Sequence, residues 1–346
     1  MHHFHYSGSA LHCESVDLAA VAGLYGTPTY VYSAATMEDN FRRLQRGLTG
    51  LDARLCYAMK ANSSLAVLRH FSNLGAGFDL VSGGEIRRVL AAGGNVRASV
   101  FAGVGKTEGE IELALRNGIF SFHVESEPEL ARINHVAGKL GVKAPVAIRV
   151  NPDVDAHTHA KITTGKKGNK FGIDIDLARD AFAMAGKLPN LRVVGVAMHI
   201  GSQLEKLTPY RASIKKVRGL IKQLRADGHR IDRFDIGGGL GIVYRKEKPP
   251  SIADFLAMVA KETQGLDCEL TFEPGRRLVG EAGVLVGEVI LVKPGVSRTF
   301  VIVDAAMNDL MRPALYEAWH DIQPVTPRSG AMRRYEIVGP VCESGD

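Results

Sequence analysis

Short apolar runs rich in β-branched residues alternate with helical patterns along most of the chain. From about residue 54 onward, most runs are followed by roughly 10–18 residues with the apolar spacing of an amphipathic helix. The runs that predict strands are RLCYAMK (54–60), GFDLVS (77–82), ASVFAG (98–103), FSFHVES (120–126), VAIRVN (146–151), VVGVAMHIGS (193–202), RFDIGGG (233–239) and LTFEPG (270–275). Eight strand–helix repeats predict a closed (β/α)8 barrel of the TIM type rather than an open sheet.

The segment 208–227 shows the helical signals clearly. Thr208 predicts the N-cap, Pro209 the first helical position and Gly228 the stop. Between them, apolar side chains recur along one helix face, at Ile214, Val217, Ile221 and Leu224.

The pattern changes after Gly275. VLVGEVILV (284–292) and RTFVIVDAA (298–306) follow each other with no helical segment between them, which predicts an antiparallel β-domain. TPTYVY (27–32) has strand character and is expected to join that domain. We therefore predict an α/β chain in three parts. Residues 1–32 contribute to the β-domain, 33–283 form the barrel, and 284–346 form a second all-β domain resembling a barrel or sandwich.

One predicted loop is long. It runs from Asn151 to Gly172 and contains the basic sequence HTHAKITTGKKGNKFG. A functional flap over the barrel mouth and a solvated basic loop both explain this length, and the sequence leaves both open.

Composition excludes several classes of protein. The chain has 346 residues, is 45% hydrophobic and carries a formal net charge of +6. The basic residues are scattered rather than clustered with aromatics, which argues against nucleic-acid binding. No apolar stretch approaches the ~18 residues of a membrane span, and the N-terminus lacks a signal-peptide core. The cysteines lack paired spacing, which indicates reduced thiols and no metal site. We expect a cytoplasmic protein.

Candidate chemistry lies at the C-terminal ends of the strands, where barrel enzymes carry their catalytic groups. In the first strand Cys56, Ala58 and Lys60 share one face by the two-residue period. A lysine that ends a buried strand is costly unless it is paired or employed, although a rim lysine that reaches solvent is the alternative. The other polar and glycine positions at strand ends are Asp79, His199, Gly237, Gly238, Gly239, Glu273 and Arg276.

These residue types together fit pyridoxal 5′-phosphate. Lys60 would form the covalent link to the cofactor's aldehyde. Backbone N–H groups of the glycine run would bind the phosphate. The Glu273 carboxylate would favour a protonated pyridine nitrogen, which lets the ring accept electrons. His199 would stack on the ring, although taken alone it is equally explained as a hydrogen-bonded core histidine.

Six motifs in order along the chain resemble the fold-type III, alanine-racemase-like, pyridoxal-phosphate-dependent decarboxylases. They are YAMKAN (57–62), FDLVSGGE (78–85), HIGSQ (199–203), GGGLG (237–241), EPGR (273–276) and CESGD (342–346). Three segments narrow the resemblance to the diaminopimelate decarboxylase family: HTHAKITTGKKGNKFG (157–172), NDLMRPALYEAWH (308–320) and GPVCESGD (339–346). The resemblance implies decarboxylation of meso-2,6-diaminoheptanedioate to L-lysine, the last step of bacterial lysine synthesis.

The resemblance also implies a role for each matching residue. Lys60, His199 and Cys342 would be catalytic, with Cys342 the proton donor supplied by the other subunit of a homodimer. Cofactor binding is implied for Lys60, Asp79, His199, Ser202, Gly237, Gly238, Gly239, Glu273, Gly275 and Arg276. The distal carboxylate of the substrate would be gripped by Arg276, Arg312 and Tyr316, and its distal amine by Glu343.

Two alternatives stay open at this point. One is another basic amino-acid decarboxylase, acting on ornithine, arginine or carboxynorspermidine. The other is a non-catalytic protein that binds pyridoxal phosphate. Family members continue beyond the CESGD motif, whereas this sequence ends at Asp346. The resemblance therefore implies an incomplete second domain, either because the chain is truncated or because the protein lacks those parts.

Overall fold

The computed structural model describes residues 3–155, 170–331 and 333–346. The chain divides into two compact units. The sheet unit comprises Met1–Asp39, Val243–Glu247 and Gly280–Asp346, and the barrel unit comprises Asn40–Ile242 and Lys248–Val279. Most of the long predicted loop, residues 156–169, lies outside the described residues.

The elements follow one another as the alternating sequence pattern predicts through the middle of the chain. The strands are β1 (Phe4–Ser7), β2 (Ala10–Cys13), β3 (Val16–Asp17), β4 (Thr29–Tyr32), β5 (Ala53–Ala58), β6 (Gly77–Leu80), β7 (Val100–Phe101), β8 (Ser121–Val124), β9 (Ala144–Asn151), β10 (Ile173–Asp174), β11 (Leu191–Ala197), β12 (Arg233–Gly237), β13 (Glu269–Phe272), β14 (Gly283–Val286), β15 (Val289–Pro294), β16 (Thr299–Val303) and β17 (Glu336–Val338). The helices are α1 (Leu18–Tyr25), α2 (Ala34–Gly47), α3 (Leu65–Asn73), α4 (Gly83–Ala91), α5 (Glu108–Arg116), α6 (Glu127–Lys139), α7 (Ala178–Lys187), α8 (Thr208–Ala226), α9 (Ile252–Thr263), α10 (Arg276–Val279) and α11 (Arg312–Tyr316). Among the described residues, no helix combines the length and apolarity needed to cross a membrane.

Eight parallel strands close into a ring in the barrel unit. Their order is β5-β6-β7-β8-β9-β11-β12-β13, and β13 pairs in turn with β5. A helix follows each of these strands, and the two-residue strand β10 pairs with β9 ahead of α7. The predicted (β/α)8 barrel is confirmed. Its strands are mostly buried on both faces, as parallel strands covered by helices must be.

Helix α8 illustrates why the periodic pattern was informative. All four apolar positions of its predicted face, Ile214, Val217, Ile221 and Leu224, are buried. The cap lies one residue earlier than predicted, since Leu207 occupies the N-cap and Thr208 begins the helix. A difference of one residue is ordinary at a helix end, where the sequence determines the boundary less strictly than it determines the buried face.

The first barrel strand is shorter than its sequence run. β5 ends at Ala58, and Met59–Ala61 form a single 3-10 turn. The amide of Ala58 donates to the carbonyl of Pro274, just after β13, at 3.1 Å. The chain turns directly after Ala58. Lys60 therefore lies on the turn at the rim, rather than at the end of a continuing strand as the two-residue period predicted.

The sheet unit is built mainly from antiparallel pairs. β4 pairs with β14, and β15 pairs with β16. The run 284–292 forms two strands, β14 and β15, and between them the amide of Glu288 donates to Asp304 Oδ1 at 2.7 Å. The hairpin strands β1–β3 and helix α1 were not predicted, and β17 joins β16 in parallel.

Candidate active site

An ion pair joins the C-terminal ends of the first two barrel strands. Lys60 Nζ lies 2.8 Å from Asp79 Oδ2. The Lys60 side chain is 57% exposed, whereas the Asp79 side chain is 2% exposed. Removal from water lowers the pKa of Lys60, but the charges of Asp79 and Glu273 outweigh that effect and raise it above its ordinary value. The resting lysine is therefore a cation held against a buried carboxylate.

A second buried carboxylate follows β13. Glu273 lies with Oε1 at 3.4 Å from His123 Nδ1, and His123 Nε2 lies 3.5 Å from Asp235 Oδ2. Burial opposes ionisation of Glu273, but its interaction with His123 outweighs burial and lowers its pKa to about 2. Burial and the charge of Glu273 raise the pKa of Asp235 well above its ordinary value. Glu273 is thus the ionised member of the pair.

His199 follows β11 and is held as a neutral imidazole. Burial, then the charges of Arg149 and Lys60, lower its pKa to about 3. The amide of Gly238 donates to His199 Nδ1 at 3.3 Å, so the ring hydrogen belongs on Nε2. A neutral flat ring is therefore available at this end of the barrel.

The glycine turn after β12 packs directly on neighbouring backbone. A Cβ on Gly238 would meet the Glu273 carbonyl at 2.0 Å, and one on Gly239, whose φ is +100°, would meet the Gly201 carbonyl at 2.1 Å. Glycine is required here by chain packing as well as by conformation. Among the described residues, the amide of Gly239 in this turn and that of Gly275 after β13 donate to no acceptor, so both are open backbone donors.

The structure gathers all ten predicted cofactor residues in the barrel unit, where Arg276 Nη2 lies 3.3 Å from Ser202 Oγ. The remaining predicted residues belong to the sheet unit. There Arg312 is half-buried on α11, with Nη1 3.1 Å from His320 Nε2 and its guanidinium 4.5 Å above the Tyr244 ring centre. Tyr316 ends the same helix and is half-buried. Cys342 and Glu343 lie in the segment after β17, and both are exposed.

Sequence reasoning missed His123 and Asp235. Both are 3% exposed, and they occupy strand interiors, within FSFHVES and RFDIGGG, rather than the strand ends considered there. A polar side chain inside a run that is otherwise buried and apolar was the available signal, because such a group needs a partner. Arg149 on β9 was also missed, and its Nη1 lies 3.2 Å from Glu125 Oε1.

Comparison with known proteins agrees with this arrangement. Residues 34–280 match the family described as pyridoxal-dependent decarboxylase, pyridoxal binding domain. The chain is 51% identical to the diaminopimelate decarboxylase of Pseudomonas aeruginosa, over 99% of this chain and 83% of that one. It also resembles the crystal structure of diaminopimelate decarboxylase from Helicobacter pylori complexed with L-lysine, with 41% identity, a TM-score of 0.92, and coverage of 95% and 83% of the two chains. The corresponding M. jannaschii structure is 36% identical with a TM-score of 0.93, covering 99% and 82%.

The chain belongs to the diaminopimelate decarboxylases. This family depends on pyridoxal phosphate, and the barrel residues fit that group on their own geometry. Glu273 Oε1 and Asp79 Oδ1 are buried and accept no hydrogen bond from the described residues. A buried carboxylate oxygen with no donor is costly, and a protonated pyridine nitrogen is a donor of the required charge. The open amides of the glycine turn suit a phosphate.

Proposed function

We propose that this chain releases CO2 from meso-2,6-diaminoheptanedioate and yields L-lysine. The observation that carries the proposal is the Lys60–Asp79 pair beside an ionised, buried Glu273 at the carboxyl ends of the barrel strands. This donor set occurs in a chain 51% identical to a diaminopimelate decarboxylase. Bound pyridoxal phosphate supplies the electron sink that accepts the electron pair left when the carboxylate departs.

Barrel residues would hold that group in place. Lys60 provides the amine that attaches it, and its proton must leave before the nitrogen can act as a nucleophile. Asp79 accepts a hydrogen bond from that amine and is placed to take part in its proton balance. Glu273 stabilises a proton on the pyridine nitrogen through its charge. The neutral ring of His199 offers a face for stacking without adding positive charge beside a cationic ring.

Backbone and guanidinium groups would complete the binding of the anionic parts. The amides of Gly239 and Gly275 suit the phosphate, together with Ser202. Arginine forks bind carboxylates through two parallel hydrogen bonds, which suits Arg276 and Arg312 to the distal carboxylate of the substrate. By the same family resemblance, we assign Tyr316 to that carboxylate and Glu343 to the distal amine.

We assign the proton that replaces the carboxylate to Cys342. A thiol close to the reacting carbon is a competent proton donor. In keeping with the resemblance, Cys342 serves the barrel of a second subunit in a cytoplasmic homodimer. A two-fold interface repeats each contact reciprocally, so one interface creates two equivalent shared sites.

Product analysis tests the proposed reaction against its alternatives. The chain, loaded with pyridoxal phosphate, is incubated separately with meso-diaminopimelate, ornithine, arginine and lysine, and CO2 and amine products are measured. We expect lysine from diaminopimelate and at most slow release from the others, because these lack the distal carboxylate that Arg312 is proposed to bind. Faster turnover of ornithine or arginine would support the other basic decarboxylases. Stable cofactor binding with no turnover of any substrate would support a non-catalytic binding protein.

A further inference from the structure

A histidine lies between two carboxylates in the interior of the barrel. His123 on β8 has Nδ1 3.4 Å from Glu273 Oε1 and Nε2 3.5 Å from Asp235 Oδ2. All three side chains are buried. Neither facing oxygen accepts a hydrogen bond within the described part of the chain. The predicted cofactor and substrate residues do not include His123 or Asp235.

The strands that meet here fix this order. His123 belongs to β8, Asp235 to β12, and Glu273 directly follows β13. Asp235 is anchored on its far side, because its Oδ1 accepts from the amide of Gly237 at 2.7 Å. The imidazole therefore lies between two carboxylates carried by different strand regions.

The geometry determines which state of the ring serves both neighbours. The ionised Glu273 only accepts hydrogen bonds, so the ring nitrogen that faces it, Nδ1, must carry hydrogen. Asp235, the neutral member of the carboxylate pair, can donate its own proton to Nε2. His123 held in this way directs an N–H donor at Glu273, which offsets the burial of Glu273 and the nearby charge of Asp79, both of which oppose its ionisation.

We infer that His123, oriented by Asp235, is a positioning residue that keeps Glu273 ionised and thereby keeps the pyridine nitrogen of the cofactor protonated. This inference rests on the proposed function, because it deepens the role assigned there to Glu273. The other charged groups facing the cluster are Lys60 beyond β5, Asp79 on β6 and Arg149 on β9. His199 beyond β11 faces it as a neutral ring. The charge of Lys60 also lowers the pKa of Glu273, so His123 is its principal but not its sole support.

A divalent cation is the competing interpretation of the same three side chains. Their nearest ligand atoms all lie within 4.8 Å of one another, which is compatible with a small ion. Two cationic side chains, Lys60 and Arg149, act on the same cluster. These cations compete with a dication for the same carboxylates, and Asp235, the neutral member of the pair, is a poor ligand for one.

The first test reads the histidine in the cofactor-free protein. The chain is labelled with [15N]histidine and its imidazole resonances are recorded near neutral pH, with His123 identified by the signal lost in His123→Asn. We expect hydrogen on Nδ1 of His123, the nitrogen that faces Glu273. A ring that carries hydrogen on Nε2 alone, or a ring whose signals shift on addition of Zn2+ or Mg2+ at micromolar concentration, would overturn the inference. Neither readout requires turnover.

The second test reads the cofactor directly. Protein loaded with pyridine-15N pyridoxal phosphate reports the protonation of the ring nitrogen through its chemical shift. We expect a protonated nitrogen in the unmodified chain and a largely unprotonated one in His123→Asn at the same pH. The matched control is His135→Asn, which alters an exposed histidine on α6 of the same unit and should leave the signal unchanged. An unchanged signal in His123→Asn would contradict the inference.

Kinetics separate this role from a purely structural one. Losing an outer partner of a reacting group commonly costs about ten- to a hundredfold, so kcat for lysine release should fall in that range while KM stays nearly constant. Asp235→Asn should act in the same direction with a smaller effect, and it provides the test if His123→Asn does not fold. If thermal stability and kcat both fall while the pyridine signal stays unchanged, His123 has a purely structural role. Absent lysine release by the unmodified chain would reject the proposed function but leave both nitrogen measurements valid.

Discussion

Asp79 controls the charge of the amine on which the proposed chemistry depends. Its Oδ2 is 2.8 Å from Lys60 Nζ, and its buried position strengthens that attraction. The same contact that places the amine also keeps a proton on it, since it raises the pKa of Lys60. Covalent capture of an aldehyde requires the neutral amine, so Lys60 becomes less reactive as the pH falls through that raised pKa.

Replacing Asp79 should move this dependence toward lower pH. In Asp79→Asn the charge that contributes most to raising the pKa of Lys60 is gone, so the pKa of the amine should fall. We expect the midpoint for capture of pyridoxal phosphate, followed by its visible absorbance against pH, to move to lower pH. Asp180→Asn on α7, an exposed carboxylate, is the control. An unmoved or raised midpoint would contradict the account.

For single residues, the sequence located polar side chains best where they stand at the ends of barrel strands. Lys60, Asp79, His199 and Glu273 all lie where the barrel rule places functional groups. His123 and Asp235 were not found, because a residue's partner across a barrel interior depends on strand stagger and tilt, which period-two alternation along one strand does not specify. The exact position of Lys60 on a 3-10 turn was likewise beyond the alternation rule.

Single elements of the barrel are tied together by buried charge. Lys106 precedes α5 and is fully buried, and its Nζ donates to Glu129 Oε1 on α6 at 2.6 Å. It also donates to the carbonyls of Gly103 and His123 at 2.8 Å each. Burial outweighs the charge of Glu129 and lowers the pKa of Lys106. This network joins the loop after β7 to β8 and α6.

Removing one partner of this pair should destabilise the barrel. Lys106→Met leaves the buried Glu129 carboxylate without its cation, which typically costs about 3–5 kcal/mol. The matched control is Lys139→Met, whose pair with Glu108 is mostly exposed at 3.3 Å and is worth roughly 1 kcal/mol or less. Urea unfolding of the cofactor-free chain measures both, and the Lys106→Met, Glu129→Gln double variant should recover part of the loss. Equal effects of the two lysine substitutions would contradict this ranking.

Element type followed from the sequence more reliably than element pairing. Buried faces such as that of α8 and the eight barrel strands were predicted, because their periodicity reflects burial directly. The strand β14 pairs with the distant β4 in agreement with the sequence, but the parallel partner of β16, strand β17, was missed. It is three residues long and lies in a mixed polar segment, so it carries almost no periodic signal.

The proposed assembly makes a prediction for the whole molecule. The proposed amine, Lys60, belongs to the barrel unit and the proposed proton donor, Cys342, to the sheet unit. If a second subunit supplies Cys342, then mixing inactive Lys60→Ala chains with inactive Cys342→Ala chains restores activity. Each hybrid dimer would carry one site with both defects and one with neither, giving at most about half of the normal activity per hybrid.

Subunit exchange must be verified in the same sample, for instance with two differently tagged chains captured in sequence. A mixture of two Lys60→Ala preparations is the control and should stay inactive. If verified hybrids remain as inactive as their parents, Cys342 serves the barrel of its own chain or has no catalytic part, and the shared-site proposal is wrong.

The most direct measurement of the central claim is covalent trapping at Lys60. The chain is incubated with pyridoxal phosphate, reduced with borohydride and digested, and the modified peptide is identified by mass spectrometry. The account predicts one stoichiometric label on the peptide that contains Lys60, loss of that label in Lys60→Ala, and no change in Lys187→Ala, which alters an exposed lysine at the end of α7. A normal stoichiometric label in Lys60→Ala, or a label placed mainly on another lysine of the unmodified chain, would contradict it.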